Sequence, residues 1–211
     1  VYGFDVAADN AGVAHVIWNS FHFTDDLFRV QYRRAQWGGE TIGDWELPRT
    51  LFDDTGFGPV QATIAADHSL GGGGVIAASG GALLADPPTY VFRSDDAGVT
   101  VVNTGVLDLL ATPAAAWGSS GPVLAAGVTG ASAEDTGWAL VTPDGSGWSQ
   151  EILVSVDTAS EGWWTQPAVA LDPTRDDAPL IVGRKKQLSA ETYKLWFDAV
   201  WRGDAGYGVL D

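Results

Sequence analysis

ATIAAD, at residues 62–67, is a run of small and β-branched residues that ends in a turn-forming aspartate. The chain contains three related runs, which are FDVAAD at 4–9, PAAAWG at 113–118 and PAVALD at 167–172. Their last residues, Asp9, Asp67, Gly118 and Asp172, follow one another at intervals of 58, 51 and 54 residues. The chain is therefore built from four copies of one pattern.

Each copy contains four strand-like stretches separated by turn residues, and no stretch keeps a helical periodicity. A period near 50 residues filled with short strands is typical of propeller blades. The sequence predicts an all-β, propeller-like array of about four four-stranded blades, at residues 1–58, 59–111, 112–165 and 166–211. Four blades can in principle close a ring as a single propeller domain, but the array starts on a first strand and ends on a fourth, which leaves no strand to lock such a ring. We therefore expect part of a larger, six- or seven-bladed propeller.

The amino-acid composition limits the kinds of partner that the chain is expected to bind. The chain has 11 basic and 27 acidic residues, a net charge of −16, which argues against binding to nucleic acid. Aspartate outnumbers glutamate 21 to 6, as suits a β-protein rich in turns. The absence of cysteine excludes disulfides and thiolate metal sites, and no apolar run is long enough to predict membrane insertion. Because the sequence has no methionine, Val1 is not a translation start, and we expect a piece of a longer protein.

One turn in the second repeat has a distinctive sequence, SDDAGVTV at residues 94–101. It resembles the Asp-box, or BNR repeat, of sialidase-like β-propellers, whose pattern is Ser-x-Asp-x-Gly-x-Thr followed by an aromatic residue. Ser94, Asp96, Gly98 and Thr100 match that pattern, and Val101 replaces the aromatic residue. The resemblance implies a structural hairpin in which the aspartate accepts hydrogen bonds from turn amides. Asp96 is therefore not a catalytic candidate.

Candidate ligand-binding residues lie in the loops between second and third strands and between blades. Antiparallel geometry places these loops at one end of every blade, which we call the loop end. The candidates are Phe21, His22, Asp25 and Asp26 in repeat one, Trp163 and Trp164 before repeat four, and Arg184 and Lys185 within repeat four. The tryptophans offer a stacking surface for a sugar, and the basic pair offers a site for a carboxylate or sulfate. The alternatives are tryptophans packed against a blade and a solvated basic loop.

Other singled-out residues have structural interpretations. Trp45 and Trp148 are predicted on the fourth strands of repeats one and three, where they pack between blades. His15 precedes an apolar strand segment and is predicted to be a packed strand residue.

The resemblance to sialidases also implies a reaction centre with three arginines, a Tyr–Glu nucleophile pair and an aspartate acid. Arg29, Arg49 and Arg184 are expected near the loop end, but the early Arg-Ile-Pro motif of that family is absent. No catalytic residue is therefore predicted. No acidic group follows the alternating pattern of a calcium loop, so neither a metal site nor a cofactor is predicted, although a structural calcium stays open.

We interpret the chain as a secreted or cell-surface recognition module, without catalysis, that binds a glycan or a protein at the loop end. One alternative is a fragment of a sialidase-like glycoside hydrolase. Another is a structural subunit or spacer of a surface assembly, with further blades or subunits as partners.

Overall fold

The computed structural model consists of four four-stranded antiparallel sheets, which confirms the predicted all-β, propeller-like array. Sheet 1 contains β1 (Tyr2–Ala8), β2 (Val13–His22), β3 (Leu27–Gln36) and β4 (Arg49–Asp54). Sheet 2 contains β5 (Gln61–Ala66), β6 (Val75–Gly80), β7 (Thr89–Ser94) and β8 (Val102–Leu107). Sheet 3 contains β9 (Leu110–Gly118), β10 (Gly121–Thr129), β11 (Asp135–Asp144) and β12 (Gly147–Asp157). Sheet 4 contains β13 (Trp163–Asp172), β14 (Ala178–Ser189), β15 (Thr192–Gly203) and β16 (Gly206–Leu210), with a 3₁₀ turn at Pro173–Arg175.

The structure describes residues 2–37, 43–55, 58, 61–81, 88–108, 110–129, 135–145, 147–157, 163–189, 192–203 and 206–210. For residues 2, 111, 128–129, 135–137, 152–157, 163–166 and those from 183 onward, the description covers the backbone alone. Among the described residues, no helix is long and apolar enough to cross a membrane.

The first strand of each sheet is innermost, so that β1, β5, β9 and β13 lie side by side. Polar bonds connect three of these strands. The carboxylate of Asp5 accepts hydrogen bonds from the Ile64 amide at 2.9 Å and the Thr63 hydroxyl at 3.1 Å. The same Thr63 oxygen accepts a bond from the Ala115 amide at 3.0 Å. Thr63 therefore connects the inner strands of sheets 1, 2 and 3.

The hydrophobic core lies between neighbouring sheets. Ile17 and Tyr32 of sheet 1 pack on Ile64 and Phe92 of sheet 2, and all four are buried. A second cluster joins sheets 2 and 3, and its members include Ile76, Val91, Leu110, Leu124 and Val141. A third, smaller cluster joins sheets 3 and 4 through Ala125, Trp138, Leu140 and Ile181. The inner strands are rich in alanine, which allows the sheets to approach closely at the axis.

The outward faces of the first and fourth sheets carry exposed apolar side chains. Side chains alternate along a strand, so Ala7 packs on sheet 2 while Phe4 and Val6 point away from it. Phe4 is 72% exposed and Val6 is 59% exposed. Leu180 and Val182 on β14 are also exposed, at 37% and 36%. Among the described residues, no further sheet covers either face.

Several strands begin or end at other residues than the sequence predicts. Strands β9 and β13 start at Leu110 and Trp163, two or three residues before the boundaries given by the repeat spacing. Trp45 does not lie on a fourth strand, because β4 starts only at Arg49. Its ring is held instead by the Arg33 guanidinium, 5.3 Å from the ring centre. Trp148 does lie on a fourth strand and packs on the cluster between sheets 2 and 3, as predicted.

Candidate functional site

The β2–β3 hairpin forms an aromatic tip at the loop end of sheet 1. Phe21 contacts Phe23 edge-on, with ring centres 4.9 Å apart, and lies 4.7 Å from Phe28 on the facing strand. Phe23 is 87% exposed, so one face of the cluster is open to solvent. The Arg29 guanidinium pairs with the Asp25 carboxylate beside these rings. The hairpin thus presents an aromatic surface next to hydrogen-bond donors and acceptors.

The sequence prediction was wrong about the secondary structure of this segment. Phe21 and His22 lie on β2, where they pair with Phe28 and Leu27, and only residues 23–26 form the turn. Asp26 occupies the left-handed region, with φ of 56°, which aspartate tolerates better than most residues. Asp25 and Asp26 therefore remain at the exposed tip, and His22 lies at its base.

The other candidates also lie on strands rather than in loops. Trp163 and Trp164 begin β13, and Arg184 and Lys185 lie within β14. Trp164 stands opposite Lys185 in the backbone register, and Arg184 stands opposite Thr165. The fold thus brings the tryptophan pair and the basic pair together on adjacent strands, although they are about 20 positions apart in the sequence.

Of the three arginines expected near the loop end, Arg49 does not lie there. Arg29 lies there, opposite Asp53 in the register. Arg49 pairs with Tyr32 at the other end of β4. Its guanidinium donates to the carbonyls of Gly98 at 2.8 Å and Val99 at 2.6 Å. The prediction was therefore wrong for Arg49, which holds a turn of the neighbouring sheet.

That turn is the one at residues 94–100, and the hydrogen bonds of its Asp96 side chain are local. The Asp96 carboxylate accepts bonds from the Thr100 amide at 2.8 Å and the Ser94 hydroxyl at 2.7 Å. These two donors hold the pKa of Asp96 below its usual value. The Ser94 oxygen in turn accepts from the Gly98 amide at 2.9 Å, and Gly98 has φ of +75°. Oδ1 of Asp96 is thus engaged by its own turn.

A buried polar triad of sheet 1 lies directly beneath Gly98. His15 Nδ1 lies 2.7 Å from the Tyr32 hydroxyl, and His15 Nε2 lies 3.3 Å from the Asp9 carboxylate. Burial lowers the pKa of His15, against the opposing effect of Asp9. The neutral ring therefore donates from Nε2 to Asp9, since a carboxylate can only accept, and accepts at Nδ1 from Tyr32. The prediction that His15 is a packed strand residue is confirmed, because it is fully buried.

This triad is not a reaction centre. All three side chains are closed off from solvent, and burial raises the pKa of Tyr32 above its usual value, which keeps the hydroxyl protonated. The sequence did not indicate the partners of His15. In the part of the chain that the structure describes, no cluster of three or more His, Asp or Glu side chains could hold a metal ion.

No protein-family model and no curated protein matches this chain. Its fold is nevertheless similar to several solved structures. Hadza microbial sialidase Hz136 matches all of this chain over 46% of its own length, with a TM-score of 0.63 and 13% identity. The α-L-arabinofuranosidase Arb93A from Fusarium graminearum matches 96% of this chain over 62% of its length, with a TM-score of 0.60 and 15% identity.

The β-propeller domain of the Trilobed protease from Pyrococcus furiosus matches all of this chain over 57% of its length, with a TM-score of 0.52 and 7% identity. The chain thus spans 46–62% of these three proteins. Identities this low show the fold alone. The four sheets therefore form a propeller-type array like those of sialidase and arabinofuranosidase propellers.

Proposed function

We propose that this chain is a glycan-recognition module whose primary contact is the aromatic tip of the β2–β3 hairpin. The single observation behind the proposal is the 87% exposure of Phe23, which is held edge-on by Phe21 beside the Asp25–Arg29 pair. An exposed phenyl ring keeps apolar surface in contact with water, which is unfavourable. A ligand that covers the ring removes this surface from water. The C–H face of a sugar can cover the ring while its hydroxyls bond to the adjacent carboxylate and guanidinium.

The structural neighbours support a carbohydrate rather than a protein ligand. Two of them are, by name, a sialidase and an arabinofuranosidase. Trp164 and Lys185, which are partners in the backbone register of β13 and β14, supply a second candidate contact on the last sheet. In this proposal the turn at residues 94–100 is an Asp-box, and its role is structural. The protein acts at a cell surface or outside the cell.

The test is a glycan array probed with the 211-residue chain and with Phe23→Ala. We expect the variant to lose about two- to tenfold in affinity for its best glycan, since one aromatic contact contributes roughly 0.5–1.5 kcal/mol. Leu70→Ala is the matched control, because Leu70 is 96% exposed at the opposite end of the sheets. Glycan binding that is the same for both variants would contradict the proposal. Absence of any glycan binding would favour the role of spacer or assembly subunit.

A second candidate function is part of a glycoside hydrolase. The observation that favours it is the fold similarity to two glycosidases that are longer than this chain. In that case the reacting groups come partly from sequence outside these 211 residues. Turnover of fluorogenic sialosides and arabinofuranosides by the full reading frame would establish it, and binding without turnover would leave the recognition role.

A further inference from the structure

A cleft of about 270 Å³ opens between sheets 2 and 3, at the end opposite the loop end. Its lining includes Arg93, Asp95, Val102, Thr104, Gly145 and Trp148. The volume is just below the ~300–1,000 Å³ of pockets that hold drug-sized ligands, and so suits a single small ring.

The packing around Trp148 keeps this cleft in place. A Cβ at Gly105 would lie 3.1 Å from Cδ1 of Trp148, so the indole rests almost on the β8 backbone. The same indole is anchored on the apolar cluster between the two sheets. In the β11–β12 turn, Gly145 lines the cleft without a side chain, and a Cβ built there would have no neighbour within 4 Å. The cleft is thus lined by a packed aromatic ring and is open at Gly145.

The polar side of the cleft combines donors and an acceptor. Arg93 Nε donates to the Asp95 carboxylate at 2.9 Å, and the two side chains are 35% and 71% exposed. Among the described residues, the terminal amino groups of Arg93 have no hydrogen-bond partner. A fixed guanidinium beside a carboxylate can donate to one hydroxyl of a sugar and accept from its neighbour. The Thr104 hydroxyl, which donates to the Val91 carbonyl at 3.3 Å, still offers a lone pair.

We propose that this cleft is a second carbohydrate site, which binds one neutral sugar residue with its apolar face on Trp148 and vicinal hydroxyls on the Arg93–Asp95 pair. A neutral sugar is favoured over an acidic one because Asp95 lies in the cleft and the chain carries a net charge of −16. The site does not depend on the aromatic tip of sheet 1, so either can fail without the other.

The test follows the indole NH signal of Trp148 in ¹⁵N–¹H spectra of the 211-residue chain, assigned with Trp148→Phe. The probes are methyl β-galactopyranoside, methyl α-L-arabinofuranoside and glucuronate, each added up to about 50 mM, well above a millimolar Kd. We expect a saturable shift with at least one neutral glycoside and a much smaller response to glucuronate. A flat Trp148 signal with both neutral glycosides would overturn the proposal.

Two variants of strand β8 decide whether the cleft is the site. Val102 lines the cleft and is 51% exposed, whereas Val106 on the same strand is 47% exposed and is not part of the cleft lining. Val102→Phe should fill the cleft and weaken binding at least tenfold, and Val106→Phe should leave the Kd unchanged. Arg93→Gln should weaken binding several-fold without altering the fold, because its side chain is on the surface. Equal affinities of the two phenylalanine variants would place the sugar elsewhere.

Discussion

Gly98 is the position where the turn at residues 94–100 touches the buried triad, and replacing it with alanine tests that contact. A Cβ at Gly98 would overlap the Tyr32 hydroxyl, and would lie 2.9 Å from Tyr32 Cζ and 3.2 Å from His15 Nδ1. The hydroxyl moves only together with the ring of Tyr32, which is fully buried, so the added methyl group must displace the ring and draws the hydroxyl away from His15. The φ of +75° at Gly98 adds a conformational cost for any residue with a Cβ.

The expected magnitude is the sum of two effects. The left-handed conformation costs alanine about 1–2 kcal/mol relative to glycine. A buried His15 nitrogen without its partner costs about 1–3 kcal/mol more. We therefore expect Gly98→Ala to lower the free energy of unfolding by about 2–5 kcal/mol. For a chain of this size, that lowers Tm by about 4–20 °C.

The measurement is thermal unfolding of the variant beside a matched control, Gly71→Ala. Gly71 has a φ of +79° and nothing within 4 Å of its Cβ direction, so its substitution carries the backbone cost alone. In a Tyr32→Phe background, Gly98→Ala should cost only about the 1–2 kcal/mol of the backbone conformation, because His15 has already lost its partner. If Gly98→Ala and Gly71→Ala unfold at the same temperature, the contact with Tyr32 contributes nothing and the reasoning is refuted.

Two further predictions concern buried polar groups. His15 has a lowered pKa in the folded chain, so below its ordinary value of 6.5 the unfolded chain binds the proton more readily. Stability should therefore fall on acidification from pH 6.5, by up to about 1.4 kcal/mol per pH unit, and His15→Gln should flatten this part of a chemical-denaturation profile. If stability falls with acidification just as steeply in His15→Gln, a group other than His15 causes the fall. Thr63→Val leaves the Ala115 amide without its acceptor and should cost about 1–3 kcal/mol in calorimetry, whereas Thr50→Val, at an exposed position, should cost little. Equal losses for the two valine variants would contradict the role assigned to Thr63.

The sheets could be predicted from the sequence because each repeat carries its own strand pattern. Within a repeat, apolar residues between turn residues determine the order and pairing of four short strands. The period was visible since the runs at Asp9, Asp67 and Asp172 each end on an aspartate that starts a turn. Local chemistry was therefore sufficient to predict the four sheets.

The ends of the strands were harder, and β2 shows why. Asn19 and Ser20 read as turn residues, yet both are buried on the strand. Asn19 accepts a hydrogen bond from the Ser79 hydroxyl of sheet 2 at 2.8 Å, and Ser20 donates to Gln31 across the hairpin at 3.0 Å. Polar strand residues whose partners lie on neighbouring strands or sheets are thus predicted as loop residues from the sequence.

The contacts between sheets were also outside the reach of the sequence. Arg49 and Gly98 are separated by 49 positions and belong to different sheets, so their contact depends on how two blades face each other. His15 and Tyr32 are 17 positions apart within sheet 1, and their contact depends on the register of β2 and β3. For the same reason, the sequence could not show that Arg29 lies opposite one end of β4, at Asp53, while Arg49 lies at the other end.

The exposed outer faces of sheets 1 and 4 have a consequence for the way the array opens. In a stack of repeats, stability is roughly the sum of each unit and its interfaces with neighbours. Sheets 2 and 3 are packed on both faces, whereas Phe4 and Leu180 lie on faces that no described residue covers. Amide hydrogens of the outer sheets should consequently exchange with solvent through partial opening, while those of β5, β6 and β10 exchange only when the whole array unfolds. Any partner that covers an outer face would slow that exchange. Association would thereby stabilise the end sheets against partial opening.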